Sequence, residues 1–158
     1  MQSKRTQTTK NKVHHLLDYL STHPTFVVIY KASDMILHVD SDVSYLVEPG
    51  AKSRAGGYYY LSSHKFPKLN GPMHCMATLI KAITSSAAEA ELGGLFLNAT
   101  NVESMRSILF DMGHPQPPIP IKIDNTTALG VVTNTTKRKR TKAMDMRFHW
   151  LTDRQNQK

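Results

Sequence analysis

Two short runs of strand-forming residues, MILHVD (35–40) and IPIKID (119–124), each end in an aspartate, and they constrain the fold more than any other feature of the chain. Residues of this kind favour the pleated, half-buried surface of a sheet. In the second run Ile119, Ile121 and Ile123 share one strand face, so one side of that strand must seek a core. Between the two runs stands TSSAAEAELGGL (84–95), which reads as the start of a helix. Ser86 is its N-cap, and Glu89 three residues on completes an S-x-x-E capping box, in which each side chain takes an orphan backbone N–H of the other residue. Leu92, Leu95, Phe96 and Ala99 follow at the i, i+3, i+4, i+7 spacing of a buried helix face. Glu91 lies beside that stripe rather than opposite it, and capping does not account for it.

The remaining pattern fills in the order of elements. VHHLLDYL (13–20) predicts a short amphipathic helix, ended by Ser21 and the His23-Pro24 step. FVVIY (26–30), residues 35–39, residues 58–61 and residues 77–83 read as strands, with LNGP (69–72) as a turn. The helix capped by Ser86 continues, with a break expected near residues 98–101, because Val102, Met105, Leu109 and Met112 keep helical spacing before Gly113 ends it. HPQPPIP (114–120) is a short linker. After the IPIKID strand come a helix from about residue 126, a basic cluster, and an amphipathic helix containing AMDMRFHWL (143–151). No internal repeat is present. The order predicts an α/β fold, a mixed sheet with flanking helices.

A chain of 158 residues, 40% hydrophobic, suits one domain with a real core. No apolar run approaches the roughly 18 residues of a membrane span, and MQSKRTQTTKNK (1–12) has no signal-peptide character, so an intracellular protein with no membrane partner is expected. The single cysteine, Cys75, excludes an internal disulfide and is expected to be a small buried hydrophobe. Beside it, His74 lacks the further partners a zinc site needs. Sequons at Asn98, Asn125 and Asn134 carry no weight without a secretory signal.

The formal charge of +8 is concentrated in two places. Lys4, Arg5, Lys10 and Lys12 contribute +4, and KRKRTK (137–142) contributes +5 through Lys137, Arg138, Lys139, Arg140 and Lys142. Local cationic clusters bind polyanions by releasing condensed counterions, which makes nucleic acid the natural partner. The alternatives are a solvated charge run or, for KRKRTK, a nuclear-localisation signal.

In open α/β sheets, ligand sites form at the carboxyl ends of strands. Parallel pairing of the two runs would bring Asp40 and Asp124 side by side, within reach of Glu91. Three such carboxylates repel unless cations neutralise them, a setting for hard divalent ions. The alternative is that both aspartates merely begin turns, a position Asp favours.

Five blocks, HVDSDVSYL, SRAGGYYYLS, TSSAAEAELGGL, IKIDNTTALGVV and KRTKAMDMRFHWL, together resemble the ribonuclease H domain of copia-type (Pseudoviridae) LTR retrotransposon Pol polyproteins. That family's segments read like S-D-A-D-W, R-x-S-x-S-G-Y, S-S-T-E-A-E-Y, D-N-x-S-A and R-T-K-H-I-D-I-R-Y-H, in the same order. The resemblance covers about residues 13–155 and implies a ribonuclease H-like fold. Residues 1–30 then correspond to a basic segment and the tail of a reverse transcriptase region, and residues 31–158 to a C-terminally truncated ribonuclease H-like domain.

By the same resemblance the family's acids fall on Asp40, Glu91 and Asp124 as catalytic metal ligands. Asp42 is left structural, and Asp145 is given a surface or packing role. The implied activity is hydrolysis of RNA in RNA/DNA hybrids during reverse transcription, with two Mg²⁺ (or Mn²⁺) ions at the scissile phosphate. The basic cluster is the expected phosphate contact, and the rest of a Pol polyprotein the expected partner, in a cytoplasmic particle or the nucleus. The family continues into a further strand and an Ala-Asp motif that adds a fourth acid, and this chain ends before them. Slow cleavage with retained binding is therefore expected, and a decayed fragment that at most binds nucleic acid is the alternative.

Overall fold

Strand pairing extends well beyond the residues with the highest β propensity. The computed structural model describes residues 6–133 and 145–157. Its elements are α1 (Gln7–Thr22), β1 (Ile36–Glu48), β2 (Lys52–Ser62), β3 (Pro72–Ile80), α2 (Ala87–Asp111), β4 (Ile121–Lys122), α3 (Thr126–Val132) and α4 (Asp145–Asn156). They form a mixed α/β structure around a four-stranded sheet of order β3-β2-β1-β4. β1, β2 and β3 make an antiparallel meander, and β4 lies parallel to β1. Polar Asp, Ser and Gly residues continue β1 and β2 past their apolar cores, because each backbone group finds a ladder partner there. The hairpin turns through Gly50 and Ala51, both at positive φ, and is tied by Arg54 Nε donating to Glu48 Oε1 at 2.6 Å.

One face of the sheet packs on α2. Leu37 and Val39 of β1 and Tyr59 of β2 meet Val102 and Leu109 of the helix. Further along α2, Leu92 and Leu95 pack with Ala128 and Val132 of α3 and Leu151 of α4, as the i, i+3, i+4, i+7 stripe predicts. The helix does not break near residues 98–101. Asn98, fully buried, turns its carboxamide into the sheet, where Nδ2 donates to Ser41 Oγ (2.8 Å) and Gly56 O (2.9 Å) and Oδ1 accepts from Tyr59 OH (2.5 Å). A residue that would otherwise compete for helix backbone groups is satisfied by the strands instead. Gly57 leaves the space this carboxamide occupies, and Gly94 lets α2 approach the Val43 side chain.

The linker also docks. Gln116 is buried and clamps the start of β1, its Oε1 accepting from Leu37 N (2.9 Å) and its Nε2 donating to Met35 O (3.0 Å). This contact delivers the chain into position beside β1. β4 keeps only two residues, fewer than IPIKID suggests, because Pro120 has no N–H to give the ladder, although its carbonyl accepts from Val39 N at 3.2 Å.

Three expectations are corrected. FVVIY is not a strand: β1 is flanked on both sides by β2 and β4, and the segment meets only the approach to β3. There Gly71 N donates to Ile29 O (3.0 Å), and the Asn70 carboxamide pairs with both backbone groups of Lys31. Cys75 is exposed rather than buried, because it stands on the edge strand β3 across from Tyr58, on the face away from α2. The third strand spans Pro72–Ile80 rather than residues 77–83; it pairs with β2 from Tyr60 back to Ser53, and Pro72 occupies the first position of an edge strand, which proline tolerates. The first helix is longer than expected and buries none of its residues. Among the described residues no helix is long and apolar enough to cross a membrane.

Candidate metal centre

The register of β1 and β4 decides which aspartates meet. Val39 pairs with Ile121 and Asp40 with Lys122, so Asp124 stands level with Asp42, two residues beyond Asp40. The carboxylates of Asp42, Glu91 and Asp124 offer oxygens that all lie within 4.8 Å of one another. The Asp42 carboxylate is held by the next backbone amide: its Oδ1 accepts from Val43 N at 2.8 Å, and Val43 is the residue packed against Gly94 of α2. Asp124 is held at the start of α3, where Asn125 caps the helix by accepting from Ala128 N at 3.0 Å.

The structure does not bring Asp40 into the group. Asp40 pairs with Lys122, two residues short of the level of Asp124, so although it shares the strand parity of Asp42 it stands about 7 Å further back along β1. There its charge acts on His38, Tyr58 and Tyr60. The expectation that Asp40 joins Glu91 and Asp124 is therefore corrected in favour of Asp42. The one available signal was the second aspartate of DSD, which sequence reasoning assigned a structural role.

Glu91 is the centre of the site. Ser86 caps α2 by accepting from Glu89 N at 3.2 Å, while Glu89 Oε2 accepts from Ser85 N (2.7 Å) and Ser85 Oγ (2.6 Å) rather than from the Ser86 N–H of an ideal capping box. Glu89 is thus used in the cap. Glu91, 6% exposed, has no such partner, and its Oε2 is buried without a hydrogen bond. Burial pushes its carboxyl up to about 7, the charges of Asp124 and Asp42 add to the rise, and the Val43 amide pulls weakly the other way. A buried carboxylate oxygen without a donor, facing two further carboxylates, is a strongly unfavourable place for negative charge. A divalent cation removes that penalty, and three hard oxygen donors suit Mg²⁺, Mn²⁺ or Ca²⁺ rather than a thiophilic metal. The cluster could hold such an ion.

The other candidate residues, Lys137, Arg138, Lys139, Arg140 and Lys142, lie outside the described residues. Asp145 opens α4. Compared with family models, with curated proteins and with solved structures, the chain matches none.

Proposed function

We propose that the chain is a metal-dependent nuclease of the ribonuclease H type, acting on the RNA strand of RNA/DNA hybrids in the manner of the copia-type Pol domains its motifs resemble. Asp42, Glu91 and Asp124 would hold the divalent cations. The observation that carries this reading is the buried Glu91 carboxyl, its Oε2 without a hydrogen bond, held against Asp42 of β1 and Asp124 just before α3. The strand order, with β4 parallel to β1 and α2 packed across them, is consistent with a ribonuclease H-like fold. When bound, the cations would supply Lewis acidity toward a phosphodiester. With its carboxyl raised to about 7, Glu91 is only partly ionised near neutral pH, and a bound cation would favour its charged form. Asp42 and Asp124, both exposed, form the solvent side of the site, where a phosphate backbone would approach. The KRKRTK cluster would hold that backbone without reading sequence, as suits hybrid recognition by shape and 2′-hydroxyls.

The test is cleavage of a hybrid labelled on its RNA strand, with Mg²⁺ or Mn²⁺. Slow cleavage is expected that chelation and Glu91→Gln both abolish, while hybrid binding at low salt persists. Cleavage that survives Glu91→Gln, or a protein that cleaves with neither ion, contradicts the reading.

A further inference from the structure

At the other end of β1 a compact loop presents a different chemistry. Residues 62–68 leave β2 and return to the same point, because the buried Ser62 hydroxyl donates to Lys68 O (2.9 Å) and accepts from Lys68 N (2.8 Å). A second tie joins the loop to the segment before β1, where His64 N donates to Asp34 Oδ2 at 3.2 Å. These ties bring the ends of the loop together and fix its backbone path over the surface. The loop holds Phe66 out into solvent, 77% exposed, between Lys65 and Pro67. Beside it lies a cavity of about 730 Å³ lined by Lys31, Asp34, His64, Lys65, Phe66 and Lys68 among others. Three lysines face one carboxylate, and that carboxylate already accepts the His64 amide. No acid occurs from residue 62 to residue 72.

We infer that this loop and cavity bind single-stranded nucleic acid, with phosphates on Lys31, Lys65 and Lys68 and an unpaired base stacked on Phe66. Cations beside an exposed aromatic ring are the combination that recognises unpaired strands, because every base offers a π-face. A duplex covers those faces by its own stacking, and an acidic peptide gives Phe66 nothing to do. The site is separate from the carboxylate group: Ile36 pairs with Ser62 and Asp42 with Gly56, so the two lie about 20 Å apart along the strand.

The test is fluorescence anisotropy of a labelled single-stranded oligothymidine with the full chain, titrated in chelator so that the metal site has no part in the result. Phe66→Ala is expected to weaken binding about tenfold and leave the salt dependence unchanged, since stacking carries no counterions. Phe66 is exposed and supports no core, and an unchanged thermal midpoint verifies that the variant keeps its fold. Lys65→Gln with Lys68→Gln should lower the log–log salt slope by about 1.4, roughly 0.7 for each contact. Wild-type affinity in Phe66→Ala overturns the proposal, as does polyglutamate competing as well as unlabelled oligothymidine. Because the titration is run in chelator and reads binding rather than cleavage, failure of the nuclease reading leaves this result interpretable by itself.

Discussion

Replacing Asp42 by Asn is expected to reduce metal-dependent cleavage of the hybrid at least about a hundredfold, and the same change at Asp40 less than about threefold. The first substitution removes a charged ligand from a group whose oxygens lie within 4.8 Å of one another. Charge stabilisation by bound cations is worth several kcal/mol, and each 1.36 kcal/mol is a factor of ten in rate. The second substitution alters a position further back along β1, beside His38 and Tyr60. The motif resemblance favours Asp40 and the register favours Asp42, so the pair of variants separates motif from geometry. A larger loss from Asp40→Asn would show that the register of β1 and β4 does not describe the active arrangement. Both variants should be compared at equal bound substrate, so that altered affinity is not read as altered chemistry.

The second large effect concerns the joint between helix and sheet. Asn98→Ala is expected to destabilise the fold by about 3–5 kcal/mol, against a total stability of about 5–15 kcal/mol for a domain of this kind. The substitution removes the acceptor of the buried Tyr59 hydroxyl and the donor to the buried Ser41 hydroxyl and the half-buried Gly56 carbonyl. A buried polar group left without its partner costs about 1–3 kcal/mol, and the space vacated between α2 and β2 adds to that. Denaturant unfolding measures the loss, with Thr100→Ala, on the exposed side of the same helix, as the control expected within about 0.5 kcal/mol of wild type. A loss below about 1 kcal/mol for Asn98→Ala would mean that α2 is held to the sheet by its apolar contacts alone.

What the sequence discloses divides along physical lines. The apolar stripe of α2, its Ser86 cap and the Gly113 stop are local patterns, and they are legible because helix periodicity and capping act within a few residues. The choice between Asp40 and Asp42 is not local. It depends on the register between two strands some eighty residues apart: the two aspartates share a strand parity, and only the pairing of Asp40 with Lys122 puts Asp42 rather than Asp40 level with Asp124. Glu91 stood out because no local role explained it, and the structure gives the reason in its unpartnered Oε2. FVVIY carries every local mark of a strand, yet it joins no ladder, and its Ile29 carbonyl meets only the Gly71 amide on the approach to the edge strand β3. Asn98 looked like a helix breaker because its partners, Ser41 and Tyr59, are remote in sequence. The loop pinned by Ser62 was equally hidden, since a single hydroxyl closes it across six residues.

The most direct test of the central claim, that Glu91 is a carboxylate poised for a cation, is unfolding stability across pH with and without Mg²⁺, read as the difference between wild type and Glu91→Gln. Glu91 rises from 4.5 to about 7 on folding. An acid whose folded value is raised contributes stability that is fully present below the unfolded value and is lost as pH climbs through the folded one. In chelator, wild type should therefore lose about 3 kcal/mol relative to Glu91→Gln between those two values. Above them, Mg²⁺ at a hundredfold excess over its dissociation constant should return about 2.7 kcal/mol to wild type and nothing to the variant. A Glu91→Gln protein that gains as much from Mg²⁺ as wild type, or a wild type whose stability does not fall across that interval, would contradict the claim.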